Sequence, residues 1–104
     1  MHVQTHPDRN VQASEALVVH VEAAVISALG RFAEQVTRVD VHLSDENGAK
    51  GGADDKRCVM EARLEGRPPT AVTHQAATVE EAMNGAAGKL ARWIEGTLAR
   101  RREY

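Results

Sequence analysis

The spacing of apolar residues changes twice along this chain, and this change limits the possible folds more than any other feature. Between residues 17 and 32 apolar side chains recur at intervals of three and four, which is typical of one helix face. From Val36 to Leu43, and again over 58–64, they recur at every second position, as in a half-buried strand. The helical interval returns after Thr78. The chain therefore combines helices and strands, which indicates an α+β domain.

Turn and capping residues set the boundaries of these elements. A short strand over 2–6 ends before Pro7, and Ser14 is a good N-cap for the first helix. The turn-forming run 66–69 precedes a last strand over 70–75. Thr78 and Glu81 have the spacing of a capping box that starts the second helix. The order β-α-β-β-β-α, with the last three strands as an antiparallel meander, predicts a four-stranded sheet with both helices packed on one face.

Length and composition fit one small domain over residues 1–104. Hydrophobic residues make up 42% and aromatic residues only 3%, so an aliphatic core is more plausible than an aromatic ligand pocket. Cys58 is the only cysteine, which excludes an internal disulfide and favours a reducing, cytoplasmic setting. There is no signal-like start and no apolar run near the roughly 20 residues that a membrane span needs. We expect a cytoplasmic protein without a membrane partner.

The distribution of charge is more informative than its sum. The formal net charge of −2 argues against strong non-specific binding of nucleic acid. Basic residues nevertheless gather near the C-terminus, where Glu95 and Glu103 are the only acids among them. These basic residues are Lys89, Arg92, Arg100, Arg101 and Arg102. At 100° per residue Lys89, Arg92 and Arg100 share one side of the second helix, so they form either a phosphate-binding face or an ordinary solvated face.

Other candidate sites have ordinary explanations. The histidines lack the spacing of a metal site, so we expect no metal, and no cofactor is indicated. Cys58 alternates with core positions, which indicates a buried, unreactive thiol rather than a nucleophile. Trp93 borders the apolar stripe of the second helix, where packing is favoured over stacking on a base. Gly85 and Gly96 either allow close backbone approach or simply weaken that helix. No catalytic set assembles, so we expect no enzyme.

The stretch 43–58, LSDENGAKGGADDKRC, has three possible readings. As a calcium loop it would place Leu43 at the first ligand position, where an acid is required. As a phosphate loop it lacks the Gly-Lys-Ser/Thr ending and precedes a strand instead of a helix. A long connection between two strands is the simplest interpretation.

Six segments in this order resemble the family of ribosome hibernation promoting factor and RaiA, also called protein Y. These segments are NVQASEAL, GRF, RVDVHLS, DDKRCVMEARLEGRPP, AVTHQAAT and GKLARWIEGTL. The resemblance implies the same β-α-β-β-β-α fold, similar to a double-stranded-RNA-binding domain. It also implies a non-enzymatic protein that binds the small ribosomal subunit in the tRNA and mRNA channel and inhibits translation in stressed or stationary cells. The chain looks like a short form, expected to be a monomer.

The same resemblance suggests which residues contact ribosomal RNA. Lys89 and Arg92 match basic positions of the family's second helix, and Arg31 matches one at the end of the first. Charge alone adds Arg100, Arg101 and Arg102, and the hairpin base adds Lys56 and Arg57. Ribosomal proteins are possible further partners. The acidic balance leaves an alternative open, namely a protein-interaction module that has this fold but does not bind RNA.

Overall fold

The elements follow the predicted order. The computed structural model describes residues 1–46 and 55–102, with side chains up to residue 100. Its elements are β1 (His2–Pro7), α1 (Glu15–Leu29), β2 (Val36–Asp45), β3 (Lys56–Leu64), β4 (Thr70–Ala76) and α2 (Val79–Arg102). A single 3-10 turn, Gly30–Phe32, extends α1. The α+β class and the β-α-β-β-β-α order are therefore confirmed, and the interpretation of the 43–58 connection falls mainly on residues outside the described ranges.

The four strands form one mixed sheet in the order β1-β2-β3-β4. The pairs β2–β3 and β3–β4 are antiparallel, which confirms the predicted meander. β1 lies parallel to β2, with α1 as the connection between them. In the β2–β3 register Val39 faces Ala62 and Val41 faces Met60, so buried side chains are neighbours across the strands. β1 and β4 are the two edges of the sheet.

Local capping explains where the helices begin. The Ser14 hydroxyl accepts a hydrogen bond from the Leu17 amide at 3.1 Å, which satisfies an amide that has no partner within α1. The Thr78 hydroxyl accepts from the Glu81 amide, also at 3.1 Å. The Glu81 carboxylate in turn accepts from the Thr78 hydroxyl at 3.1 Å, where an ideal capping box would use the Thr78 amide. Both predicted N-caps are therefore confirmed.

The core lies between the sheet and the two helices, which also pack against each other. Val21, Val25 and Leu29 bury one stripe of α1, and Leu90 and Ile94 belong to the matching stripe of α2. The opposite sheet face is open and polar. The helices therefore cover one face only, and every functional candidate lies on α2, at the ends of the elements or on the open face.

Two side chains that were expected in the core lie there. Cys58 is fully buried, and burial raises the pKa of its thiol to about 12. A thiol with this pKa is protonated at neutral pH and is a poor nucleophile. Trp93 is half-buried and packs against the core, so packing accounts for its position on α2.

Candidate nucleic-acid interface

Three of the predicted basic residues lie on one side of α2, and the first of them, Lys89, contacts β4. Lys89, Arg92 and Arg100 are all exposed there. The Lys89 ammonium donates to the Thr73 carbonyl of β4 at 2.8 Å, which fixes its position beside the sheet. Among the described residues none of the three forms an ion pair with a carboxylate. We call these three residues the basic flank.

The two arginines of the basic flank lie against the helix beside glycines. A Cβ atom at Gly88 would be 3.4 Å from an Arg92 guanidinium nitrogen, and one at Gly96 would be 3.5 Å from an Arg100 nitrogen. Both guanidinium groups therefore lie along the surface of α2. Arg100 also donates to the Thr97 hydroxyl at 3.3 Å. A distance of 3.5 Å is an ordinary van der Waals contact, so the position of Arg100 does not require a glycine at residue 96.

Gly85 has a different role on the same flank. The His74 ring occupies the space that a Cβ atom at Gly85 would need. His74 points from β4 toward α2 and is half-buried. The absence of a side chain at residue 85 is therefore required for α2 to sit on β4. The role of Gly85 could not be predicted from the sequence, because the sequence does not show that His74 packs against it.

Arg31 is not part of the basic flank. Its guanidinium lies 4.6 Å from the centroid of the Phe32 ring and 3.4 Å from the Glu95 carboxylate, at the seam between α1 and α2. This seam is on the other side of α2 from Lys89. Each side chain of the Arg31–Glu95 pair is 60% exposed, so the ion pair is weak and is easily exchanged for another partner. The structure therefore separates Arg31 from the other predicted contacts.

Lys56 and Arg57 lie at the base of the β2–β3 hairpin and are already paired with acids. The Lys56 ammonium is 2.6 Å from Asp55 and 3.6 Å from Asp45, and the bond to Asp55 raises the pKa of Lys56. The Arg57 guanidinium is 3.6 Å from Glu46. RNA would have to displace these carboxylates. The two residues are therefore poorer phosphate ligands than the sequence suggested.

Arg101 and Arg102 continue the backbone of α2, as expected from the basic run. Their side chains lie outside the described part of the chain. Their contribution to an interface remains a prediction.

The open sheet face carries a polar cluster that the sequence analysis missed. The rings of His6 and His42 stack with centroids 4.6 Å apart. His6 is hydrogen-bonded to Asp40 at 2.8 Å, and Arg38 donates two bonds to the same carboxylate and one to Gln4. The hydrogen bond from Arg38, followed by that from His6, holds the pKa of Asp40 far below its usual range. The Arg38 guanidinium is consequently engaged with an acid.

The cluster forms because of the way in which β1 and β2 are aligned. His6 faces His42, and Gln4 faces Asp40, only because β1 pairs in parallel with β2. A shallow cleft of about 680 Å³ lies beside the cluster, with Arg38, Glu61 and Arg63 in its lining. Both signs of charge line it, so it does not form a continuous phosphate-binding surface.

The described ranges hold neither a metal-binding group of side chains nor a helix that could cross a membrane. Residues 1–46 and 55–102 contain no group of three or more His, Cys, Asp or Glu side chains that could hold a metal ion. Within the same residues, no helix has the length and apolar character that crossing a membrane requires. The basic flank is therefore the best-defined candidate for binding a charged partner.

The architecture defines a class of small α+β domain, and comparison with known proteins identifies its family. The family model described as "Sigma 54 modulation protein / S30EA ribosomal protein" matches residues 5–102. The chain belongs to this family. A search of curated proteins finds no match.

Two solved structures have the same fold. One is the N-terminal domain of Protein Y from Thermus thermophilus, with 19% sequence identity and a TM-score of 0.75 over 93% of this chain and 99% of that one. The other is a ribosomal subunit interface protein from Coxiella burnetii, with 15% identity and a TM-score of 0.75 over 95% of this chain and 99% of that one. At these identities the likeness establishes the fold alone.

Proposed function

We propose that this protein is a ribosome-associated translation inhibitor of the hibernation type. It binds the small ribosomal subunit in the tRNA and mRNA channel under stress or in stationary phase, in the cytoplasm, and performs no catalytic step. Membership of the family supports the ribosome as the partner, and the solved relative from Coxiella burnetii is itself named a ribosomal subunit interface protein. The single structural observation that carries the proposal is the basic flank of α2.

The geometry of the basic flank suits phosphate binding. Lys89 is anchored on β4, and the guanidinium groups of Arg92 and Arg100 lie against glycines, so all three cations are partly ordered before a ligand arrives. Residues 92 and 100 are eight positions apart, which places the two guanidinium groups about 12 Å from each other along the helix axis. Within the described residues no carboxylate pairs with any of them, so a phosphate displaces no acid of this part of the chain.

Salt dependence tests this proposal directly. Neutralising three phosphates predicts a slope of log K against log salt of roughly −2 to −3. We expect the protein to co-sediment with purified small subunits at low salt and to dissociate steeply as salt rises. The double variant Lys89→Glu, Arg92→Glu should bind far more weakly and with a shallower slope.

A matched control is available on the other side of the molecule. Arg9→Glu with Arg63→Glu makes the same change in net charge at two exposed residues away from α2. Circular dichroism should show that both double variants keep the wild-type helix content. Equal weakening by the two variants would show that net charge, and not the basic flank, governs binding.

A second candidate function is a protein-interaction module without RNA binding. The observation that favours it is the number of basic side chains already held by acids, namely Arg31, Arg38, Lys56 and Arg57. It predicts no salt-sensitive binding to small subunits. Failure of the wild-type protein to co-sediment with them at any salt concentration would favour this candidate over the first.

A further inference from the structure

The β3 part of the open sheet face carries two exposed side chains of opposite charge. Glu61 and Arg63 are two residues apart on β3, so their side chains leave the same face of the strand. Neither of them forms an ion pair with another residue in the described part of the chain. Two positions along a strand span about 7 Å. Both charges are therefore accessible to a ligand that approaches from solvent.

The neighbouring strand explains why β2 does not neutralise these two charges. Arg63 lies opposite Arg38 in the β2–β3 register, and Glu61 lies opposite Asp40. Like charges directly opposite each other repel. Arg38 and Asp40 also satisfy each other, since Arg38 donates to both carboxylate oxygens at 2.8 and 3.0 Å. A ligand with its anionic group at Arg63 and its cationic group at Glu61 would relieve both repulsions.

An irregularity in β2 shapes the cleft above these two residues. The β2–β3 register shifts between Val36 and Arg38, so Thr37 is an extra residue on β2, as in a β-bulge. Successive residues of a regular strand point to opposite faces, yet Thr37 and Arg38 are both exposed and both line the cleft of about 680 Å³. The Thr37 hydroxyl donates to the Arg63 carbonyl at 3.1 Å, which holds the bulge against β3. The bulge therefore contributes two neighbouring side chains of β2 to the same cleft, as bulges next to active sites often do.

We propose that this cleft binds a small dipolar molecule with a carboxylate at one end and an amine about 7 Å away. The Arg63 guanidinium binds the carboxylate, for which its planar fork is well shaped, and the Glu61 carboxylate binds the amine. The volume of the cleft is within the ordinary range for small-molecule sites. Its lining contains two arginines and two acids, so the formal charges of these side chains cancel. A ligand with a single charge would be attracted by one of Glu61 and Arg63 and repelled by the other.

The position of the cleft makes this proposal independent of ribosome binding. His2 and Pro69 complete its lining, at the start of β1 and just before β4. The cleft thus lies on the sheet face that the helices leave open, and no residue of the basic flank belongs to its lining. A ligand in the cleft therefore contacts none of the three cations on α2, and the proposal does not depend on the proposed function.

Titration of the full chain with δ-aminovalerate at low salt, followed by amide chemical shifts, tests the proposal. The amine and the carboxylate oxygens of this probe lie about 7 Å apart when its chain is extended. We expect shifts centred on residues 37–38 and 61–63 and a dissociation constant of about 1 mM. Valerate and pentylamine, which keep one charge each, and free glycine, whose charges are adjacent, should bind about tenfold more weakly. Absence of δ-aminovalerate binding would overturn the proposal, and equal binding of valerate would overturn it in favour of a simple anion site.

Two variants at exposed positions assign the two ends of the ligand. Arg63→Gln and Glu61→Gln should each weaken the binding of δ-aminovalerate by about tenfold, because each removes one charged contact. Arg9→Gln and Glu22→Gln are matched controls, since they make the same changes in net charge at exposed residues outside the cleft. Circular dichroism should show the wild-type helix content in all four variants. Equal weakening by a variant and its control would mean that the cleft residues do not contact the ligand, and the proposal would be wrong.

Discussion

α1 and α2 lie side by side on the same sheet face, yet their outer surfaces differ in kind. α2 shows solvent a basic flank in which Lys89 is held by β4 and both arginines lie beside helix glycines. α1 shows solvent an apolar stripe bordered by two glutamates. Both helices bury an apolar side in the core because this stabilises the fold. Folding does not determine which residues lie on their outer sides. Any difference in function between the two helices therefore has to lie in these outer sides.

The largest expected effect is the loss of free energy of unfolding when a buried side chain beneath either helix is truncated. Leu90→Ala empties a fully buried position beneath α2 and should lower the free energy of unfolding by about 2–5 kcal/mol. Val25→Ala removes less volume beneath α1 and should cost about 2 kcal/mol. Urea unfolding measures both. A greater loss at Val25 than at Leu90 would contradict the ranking by removed volume.

The next effect concerns the contact between α2 and β4. Gly85→Ala should destabilise the protein by about 1–3 kcal/mol, because the new Cβ meets the His74 ring. In a His74→Ala background the same change should instead stabilise it by up to about 1 kcal/mol, the ordinary helix preference of alanine. Thermal unfolding of the four proteins in this cycle measures the sign. A stabilising Gly85→Ala in the wild type would contradict the assigned role of Gly85.

A smaller effect concerns the β1–β2 pair beneath α1. Asp40→Asn loses hydrogen bonds between a carboxylate and Arg38, so we expect a loss of about 1 kcal/mol at neutral pH. Because the pKa of Asp40 is lowered in the folded state, its contribution is complete above the ordinary aspartate pKa of about 4. The contribution decreases as pH falls below that value toward the lower folded pKa.

Urea unfolding between pH 2 and 7 measures the difference in free energy of unfolding between the wild type and Asp40→Asn. Gln75→Glu, an exposed substitution on β4, controls for general charge effects. A difference that is independent of pH would mean that the carboxylate charge is not what binds Arg38.

The smallest effect concerns the ion pair between Arg31, in the turn that extends α1, and Glu95 of α2. Arg31→Ala and Glu95→Ala each remove an exposed partner, so a double-mutant cycle should give a coupling of at most about 0.5 kcal/mol. Arg31→Ala should leave the binding of small subunits close to that of the wild type if the basic flank is the contact surface. A strong loss of binding would extend the contact surface across the seam to α1.

Periodicity predicted the elements and their buried sides because those depend on neighbours along the chain. Val39, Val41 and Met60 alternate with polar residues, and their burial needs no knowledge of the partner strand. Pairing between distant segments was not predictable in the same way. The parallel alignment of β1 with β2 creates the His6, His42 and Asp40 cluster, and no local pattern encodes it.

The same distinction between local patterns and distant contacts applies to the predicted site residues. Lys89, Arg92 and Arg100 share a helix, so their common side follows from helix geometry alone. Arg31, Lys56 and Arg57 were grouped with them by charge and resemblance. Their acidic partners come from other elements or from the hairpin itself, and only the folded chain brings Glu95 to Arg31.

The hydrogen bond from Lys89 to Thr73 has a consequence for the solubility of the domain. β4 is an edge strand, and unpaired carbonyls on such an edge can recruit a strand from another molecule. The Lys89 ammonium occupies one of these carbonyls and places a positive charge where an incoming backbone would lie. In the free chain the same side chain therefore opposes edge-to-edge association of β4.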